Sequence, residues 1–204
     1  MSKTLILHYT PRGERSKTKQ LVDAFREAVE GKTEIIEHDL AERAPEMFLR
    51  ENLMAYVMRN MVGEEKPEYD EALKGLDEVV DELISADRVV LAFPLYNYSV
   101  PAVVKAWIDS VIVSGKTFTM ENGKFKGLMT GKKALVLSTA GGAGYGEGGM
   151  EDYGRPLAVK CFEFMEYETT NIQADGANQF PEDKYKEVLE AKKQEILKLV
   201  NQWY

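Results

Sequence analysis

The chain has 204 residues, of which 44% are hydrophobic and 29% charged, the proportions of an ordinary globular protein that can bury a large core. Its formal net charge of −8 argues against a general nucleic-acid binder, because binding to phosphate backbones needs a basic face. The single cysteine, Cys161, excludes an intrachain disulfide, argues against a cysteine-based metal site and fits a reducing cytoplasm. Because no apolar stretch reaches the length of a membrane span or a signal peptide, we expect a cytoplasmic protein without a membrane partner.

Short apolar segments alternate with longer segments of helical spacing along the chain. The sequence predicts five strands, at residues 4–9, 33–38, 88–93, 133–139 and 167–172. It predicts six helices, at residues 18–29, 46–62, 68–85, 101–114, 152–165 and 183–202. Because parallel strands need a crossover of a dozen or more residues, this alternation predicts an α/β fold. We expect a doubly wound, five-stranded parallel sheet with helices on both faces.

Two segments interrupt this alternation within what we interpret as a single domain over residues 1–204. Residues 40–86 carry two predicted helices where one crossover would suffice, so we predict a helical insertion at about 45–65. Residues 118–127 contain Asn122-Gly123 between aromatic flanks, which predicts a small hairpin. We expect both additions to lie near a functional site.

Three chemically unusual segments, at residues 9–21, 94–101 and 139–149, each follow a predicted strand. In an open parallel sheet, ligands bind outside the carboxyl ends of the strands, at the point where the strand order reverses. We therefore expect the three segments to form one ligand site.

The first segment combines hydroxyl groups with basic side chains next to a predicted helix start. These residues are Thr10, Ser16 and Thr18, with Arg12, Arg15 and Lys17. A helix N-terminus offers free N–H groups and a positive dipole end, which suit a phosphate. The alternative is that Ser16 only caps the helix and that the basic side chains form a solvated surface. Since the segment lacks both GxxxxGK[ST] and GxGxxG, it favours a single terminal phosphate over a nucleoside triphosphate or a Rossmann dinucleotide.

The second segment, PLYNYSVP, places Tyr96, Asn97 and Tyr98 in a turn between a buried strand and a helix. Two aromatic rings and an amide can border a planar heterocycle and bond its heteroatoms. The alternative is a rigid turn whose tyrosines belong to the core. We expect Ser99 to cap the following helix, with Pro101 at an early helical position.

The third segment, TAGGAGYGEGG, has Gly141-Gly142 directly after a buried strand. Glycine allows a backbone to approach a planar ligand closely, although a flexible surface loop would contain similar glycines. The combination of the three segments favours a ligand site over three unrelated loops.

Most of the chain resembles the flavodoxin-like FMN-dependent NAD(P)H:quinone oxidoreductases, in particular the bacterial azoreductases. The resemblance rests on KTLILHYTPRGERSKTKQL, PLYNYSVPAVVKAWIDSVIVSGKTF and ENGKFKGLMTGKKALVLSTAGG, in that order and spacing. It implies a flavodoxin-like fold, bound FMN, NADH or NADPH as electron donor, and a quinone or azo compound as the small-molecule acceptor. It also implies a homodimer with the flavin near the interface.

The resemblance further implies which residues bind the cofactor. For the FMN phosphate these are Thr10, Ser16 and Thr18, with the neighbouring Lys17. For the isoalloxazine they are Pro94, Leu95, Tyr96, Asn97, Tyr98, Thr139, Ala140, Gly141 and Gly142. Because the flavin carries the chemistry, no catalytic side chain and no metal site are predicted.

The chain departs from the family pattern in its basic first loop, its longer Gly-rich run and its Met-rich residues 45–65. Met54, Met58 and Met61 share a predicted helical face, which is either a core or dimer contact or an adaptable wall of the acceptor pocket. We predict Met54, Met58 and Tyr145 as substrate-pocket residues.

Two other functions stay open at this point. A non-enzymatic flavodoxin-like electron carrier would hold flavin and turn over NAD(P)H poorly; the acidic charge fits it, but the chain is long for a bare carrier. A phosphoryl hydrolase would use the basic first loop, but the sequence lacks an evident nucleophile.

The remaining candidate side chains, His8, His38 and Cys161, are predicted to have structural roles.

Overall fold

The computed structural model describes residues 2–146 and 149–204. The strands are β1 (Lys3–His8), β2 (Glu34–Asp39), β3 (Arg88–Pro94), β4 (Phe118–Glu121), β5 (Lys124–Gly127), β6 (Lys133–Ala140) and β7 (Glu168–Asp175). The α-helices are α1 (Lys17–Ala28), α2 (Arg50–Tyr56), α3 (Pro67–Ser85), α4 (Ala102–Val111), α5 (Arg155–Phe164) and α6 (Glu182–Trp203). Of the extended Gly-rich run, Glu147 and Gly148 lie outside the described residues, as does Met1.

Five strands form one parallel sheet in the order β2-β1-β3-β6-β7. The chain moves from β1 outward to β2 and then crosses to β3 on the other side of β1, so the strand order reverses between β1 and β3. This arrangement confirms the predicted doubly wound, flavodoxin-like sheet.

Alternate residues of the central strands enter two cores, one on each face of the sheet. Leu91 of β3 packs in the core beneath α3, α4 and α5, which includes Trp107 and Phe162. Val90, its neighbour in β3, packs in the opposite core with Phe25 of α1. Burial on both faces explains why β3 is an uninterrupted apolar run, as is usual for parallel sheets between helices.

The insertion before α3 contains a shorter helix than the sequence predicts. Helix α2 begins at Arg50 instead of residue 46, because the Asn52 side chain accepts a hydrogen bond from Leu49 N at 2.7 Å and Leu49 stays extended. After Tyr56 the chain continues as a π-helix, Val57–Val62, which ends at Gly63 with a φ of +82°. The contact of Asn52 with Leu49 is an example of a short polar side chain that competes with helical hydrogen bonding.

Strands β4 and β5 form an antiparallel hairpin outside the main sheet. Its turn residues, Asn122 and Gly123, have φ values of +53° and +76°, the conformation of a type I′ turn.

No helix among residues 2–146 and 149–204 is long and apolar enough to cross a membrane.

Candidate functional site

A cavity of about 150 Å³ lies at the carboxyl edge of the sheet, beside the point where the strand order reverses. The predicted residues that line it are Ser16, Lys17, Thr18, Pro94, Leu95, Tyr96, Thr139, Ala140 and Gly141. The segments after β1, β3 and β6 therefore meet in one place, as the sequence predicts.

The N-terminus of α1 forms one end of this cavity. Ser16 caps the helix, with its Oγ accepting from Lys19 N at 3.2 Å, and Lys17 and Thr18 are the first helical residues. The N–H groups of a first helical turn have no intrahelical acceptor, so they can bind an anion. The hydroxyls of Thr18 and Thr139 are hydrogen bonded at 2.7 Å, which links the helix to the end of β6.

Thr10, the third hydroxyl residue predicted at the phosphate, is placed differently. It is buried, and its Oγ1 donates to Asp39 Oδ2 at 2.9 Å, at the end of β2. His8 lies beneath it, with Nδ1 at 3.0 Å from Thr10 Oγ1 and Nε2 at 3.2 Å from Glu37 Oε1. Thr10 therefore does not line the cavity and instead attaches the first loop to β2. The contact with His8 lowers the pKa of Glu37, which is consistent with a structural role for His8.

The turn after β3 is a two-residue reversal. Tyr96 and Ser99 exchange two backbone hydrogen bonds at 2.9 and 3.0 Å, and the residues between them, Asn97 and Tyr98, have φ values of +49° and +68°. These are the signs required by a type I′ turn, in which Asn is a favoured residue. The prediction that Ser99 caps α4 is wrong: its backbone closes this turn, and Pro101 occupies the cap position without a side-chain hydrogen bond.

The turn presents its aromatic rings to solvent. Tyr96 is 44% and Tyr98 50% exposed, so the alternative that they are core residues is wrong. Tyr96 packs edge-on against Tyr9 with ring centroids 5.8 Å apart, and Tyr98 lies 6.3 Å from Tyr145 of the Gly-rich loop. We call these four side chains the aromatic rim, of which Tyr96 lines the cavity.

Gly141 lies at a close approach between two loops. A β-carbon at this position would lie 2.7 Å from Nδ2 of Asn178, which follows β7. The same two segments are joined by hydrogen bonds from Asn178 N to Gly141 O at 2.9 Å and from Ala177 N to Ala140 O at 3.0 Å. The segment after β7 is therefore part of the cavity wall.

Four lining residues were not predicted for the site: Pro11, Arg12, Ala177 and Asn178. Arg12 was noted only as a basic neighbour of the phosphate loop. Ala177 and Asn178 carried a signal that sequence analysis could have used, because the carboxyl end of the fifth parallel strand must reach the same edge of the sheet. The turn glycine Gly176, with a φ of +92°, marks that strand end.

The predicted substrate-pocket residues lie elsewhere in the described chain. Met54 is 54% exposed and Met58 half-buried on the insertion, and neither lines the cavity at the sheet edge. Tyr145 belongs to the aromatic rim and also borders a larger cavity, of about 720 Å³, between the Gly-rich loop, α5 and β7.

Cys161 is half-buried, and burial raises the pKa of its thiol, which fits its predicted structural role.

Comparison with known proteins gives one consistent family. A family model described as a flavodoxin-like fold matches residues 2–200. An FMN-dependent NADH:quinone oxidoreductase 2 of Pseudomonas putida is 34% identical over 196 residues, which cover 94% of this chain and 96% of that protein. A similarly named protein of Shewanella loihica, an FMN-dependent NADH:quinone oxidoreductase, is 32% identical and covers 98% of this chain and 100% of its own length.

The fold is also similar to that of a solved azoreductase from Bacillus anthracis. The two structures have a TM-score of 0.86 at 26% sequence identity, covering 99% of this chain and 100% of the other. The sheet order, the position of the cavity and these similarities agree. The chain therefore belongs to the flavodoxin-like family of FMN-dependent NAD(P)H:quinone oxidoreductases.

Proposed function

We propose that this chain is an FMN-dependent oxidoreductase that passes two electrons from NADH or NADPH to a quinone or an azo compound in a ping-pong cycle. The observation that carries the proposal is the cavity in which a capped helix N-terminus meets an aromatic turn at the strand-order reversal. The names of the similar proteins favour an oxidoreductase over an electron carrier that turns over NAD(P)H poorly.

The phosphate end of FMN fits the start of α1. Ser16, Lys17 and Thr18 offer two hydroxyls, the first-turn N–H groups and an ammonium group, while Arg12 adds a guanidinium at the rim. Each hydroxyl has one protein partner already, and a hydroxyl can make further hydrogen bonds. In this proposal Thr10 shapes the loop through Asp39 instead of contacting the phosphate.

The ring end of FMN fits the segments after β3 and β6. We assign Pro94, Leu95, Tyr96, Asn97 and Tyr98 to one side, and Thr139, Ala140, Gly141 and Gly142 to the other. When bound, FMN supplies two-electron transfer between NAD(P)H and the acceptor. The chain's own residues would orient the ring, border the acceptor space with the aromatic rim and limit the access of water.

We also propose a cytoplasmic homodimer in which residues 1–204 form one flavodoxin-like domain. The single cysteine is compatible with a reducing compartment. The dimer is supported by six exposed apolar side chains within residues 47–62, since exposed apolar patches are typical of interaction sites. These side chains are Met47, Leu49, Leu53, Met54, Met61 and Val62.

Loss of the two hydroxyls at the start of α1 should weaken FMN much more than riboflavin, which lacks the phosphate. Each lost hydrogen bond to a charged group costs about 1.5–3 kcal/mol, so Ser16→Ala combined with Thr18→Val should weaken FMN roughly 100-fold or more. Fluorescence titrations with both flavins measure the difference. The control is Ser85→Ala, whose hydroxyl donates to Glu82 O at 2.8 Å at the end of α3. Equal weakening of FMN and riboflavin would mean that the phosphate is bound elsewhere.

Replacement of Met54 and Met58 by alanine should change the choice of acceptor and leave FMN affinity nearly unchanged. Methionine adapts its shape to varied ligands, and neither side chain lines the cavity proposed for FMN. The test compares turnover of bulky and small quinones, with Met120→Ala on the exposed face of the hairpin as the control. Unchanged relative rates would contradict a role in the acceptor pocket.

Reconstitution of the apoprotein with FMN, followed by anaerobic addition of NADH or NADPH and then of a quinone, tests the proposed function as a whole. A protein that binds no FMN would refute it.

A further inference from the structure

Arg155, the first residue of α5, joins two separate parts of the fold. Its side chain is 2% exposed, and Nη2 donates to Asp175 Oδ1 at 2.5 Å while Nη1 donates to Gln173 Oε1 at 3.0 Å. Nη1 also lies 3.2 Å from Asp152 Oδ2. Gln173 and Asp175 belong to β7, whereas Asp152 belongs to the Gly-rich loop before α5. We call Arg155, Asp152, Gln173 and Asp175 the Arg155 cluster.

The Gly-rich loop faces a cavity on one side at this position. The cavity of about 720 Å³ lies between loop residues such as Gly149 and Met150 and the surface formed by Val159 and Asn171. Side chains that face a cavity lack dispersion contacts on that side, so the packing of the loop is incomplete there. Polar contacts add to what packing remains, such as that of Met150 against Gly142, in holding this part of the loop in place.

The Arg155 cluster supplies such contacts on both sides of the loop's end. Asp152 Oδ1 accepts from Gly154 N at 2.9 Å and from Arg155 N at 3.0 Å, in the manner of a helix N-cap. Its other oxygen, Oδ2, faces the guanidinium. One carboxylate thus fixes both the start of α5 and the position of the loop relative to β7.

Two contacts connect this cluster to the turn after β3. The guanidinium carbon of Arg155 lies 5.7 Å from the centre of the Tyr145 ring, which in turn lies 6.3 Å from the ring of Tyr98. Tyr153 N donates to Tyr98 O at 2.8 Å. A change in the position of Arg155 would therefore be transmitted to the aromatic rim.

The composition of the cluster argues against stability as its main role. Two carboxylates and one guanidinium give a net charge of −1, and Nε of Arg155 has no partner among the described residues. Burial raises the pKa of Asp175 despite the opposing effect of Arg155. Replacing a buried ion pair by apolar side chains is often neutral or stabilising, so the cluster is weak evidence for a role in stability, and we assign it instead the role of fixing one conformation of the loop.

We propose that Arg155 is a positioning residue, which holds Tyr145 and Tyr153 against the turn at Tyr98 and thereby fixes the ring side of the cofactor site. The proposal rests on the proposed function, since the ring in question is that of FMN. It predicts that Arg155 affects flavins through the ring and not through the phosphate.

The test uses Arg155→Met, which keeps an unbranched apolar chain and removes every side-chain donor. We expect FMN and riboflavin to be weakened by the same factor, about tenfold, with their affinity ratio unchanged and the visible spectrum of bound flavin shifted. In the apoprotein, chymotrypsin should cleave after Tyr145 or Tyr153 faster than in the parent.

The matched control is Arg59→Met. Arg59 is 17% exposed, and its guanidinium donates twice to Asp77 at 2.8 Å, between the insertion and α3. This variant should lower thermal stability but leave flavin affinities, the flavin spectrum and cleavage in the Gly-rich loop unchanged.

A folded Arg155→Met protein with the flavin affinities, spectrum and loop cleavage of the parent would overturn the proposal. If Arg155→Met fails to fold, Asp152→Asn replaces it, because asparagine retains the helix cap and loses the ion pair. The same pattern at smaller magnitude is expected, and parent-like behaviour of a folded Asp152→Asn would overturn the proposal equally. A parent that binds no flavin would refute the proposed function and the link to FMN, while the cleavage rates would still decide whether Arg155 holds the loop.

Discussion

Replacement of Gly154 by alanine is expected to lower the free energy of unfolding by about 1–3 kcal/mol, the usual cost of overpacking, and to weaken FMN binding. A β-carbon at Gly154 would lie 2.7 Å from Leu95 Cδ2, 2.8 Å from Ser99 C and 2.9 Å from Val100 N. Two of these three atoms are backbone, so the turn after β3 must move to make room. That movement displaces the segment that we assign to the isoalloxazine.

The effect of this substitution is steric, because the backbone of Gly154 is ordinary. Its φ and ψ are −88° and −55°, in the right-handed helical region that alanine adopts without strain. A suitable control is Gly75→Ala in α3, where the nearest atoms to a new β-carbon belong to the flexible side chain of Glu46. The measurements are thermal unfolding and FMN titration of both variants. Parent-like affinity of a folded Gly154→Ala protein would show that the turn does not contact the flavin.

Replacement of Asn97 by glycine is expected to slow turnover by about 100-fold, the lower end of what one polar group at a reacting centre commonly contributes, and to shift the reduction potential of the bound flavin. Asn97 has a φ of +49°, which glycine adopts freely, so the turn is retained while the amide is removed. Asn97→Leu removes the amide as well but adds the strain of a bulky residue at positive φ, about 1–3 kcal/mol. The difference between the two variants separates the amide from the turn.

The hairpin between β4 and β5 offers a matched control for Asn97. Asn122 has nearly the same φ, +53°, and occupies the same kind of turn outside the main sheet. Asn122→Gly should therefore leave the flavin unaffected. Stopped-flow reduction by NADH or NADPH and a redox titration, each on FMN-saturated protein, measure the effect. An unchanged potential and unchanged half-reactions in Asn97→Gly would mean that Asn97 is only a turn residue.

The architecture was accessible from sequence because it depends on local patterns. Apolar runs such as residues 88–93 locate the buried strands, and the helical segments between them require parallel pairing. The turn signal Asn122-Gly123 likewise depends on two adjacent residues. The first loop, the aromatic turn and the Gly-rich loop each follow a parallel strand, so the sequence also predicted that they share one edge of the sheet.

The details that sequence analysis did not reveal depend on contacts between residues that are distant in sequence or on the exact start of a helix. The hydroxyl of Thr10 is hydrogen bonded to Asp39, 29 residues away, and no periodicity in the sequence indicates that contact. Ser99 does not cap α4 because the helix begins at Ala102 with Pro101 at the cap position, while the backbone of Ser99 pairs with Tyr96. The Arg155 cluster unites the Gly-rich loop with β7 through side chains 18 and 20 residues apart, which only the folded chain brings together.

The measurement that tests the central claim most directly is a titration of the apoprotein with FMN, followed under anaerobic conditions by reduction and reoxidation of the complex. The account predicts one noncovalently bound FMN per chain, loss of the flavin's visible absorbance on addition of NADH or NADPH, and its return on addition of a quinone. Failure to bind FMN would contradict the assignment of the site. Binding of FMN with an absorbance that neither nucleotide changes would contradict the oxidoreductase and favour the electron carrier.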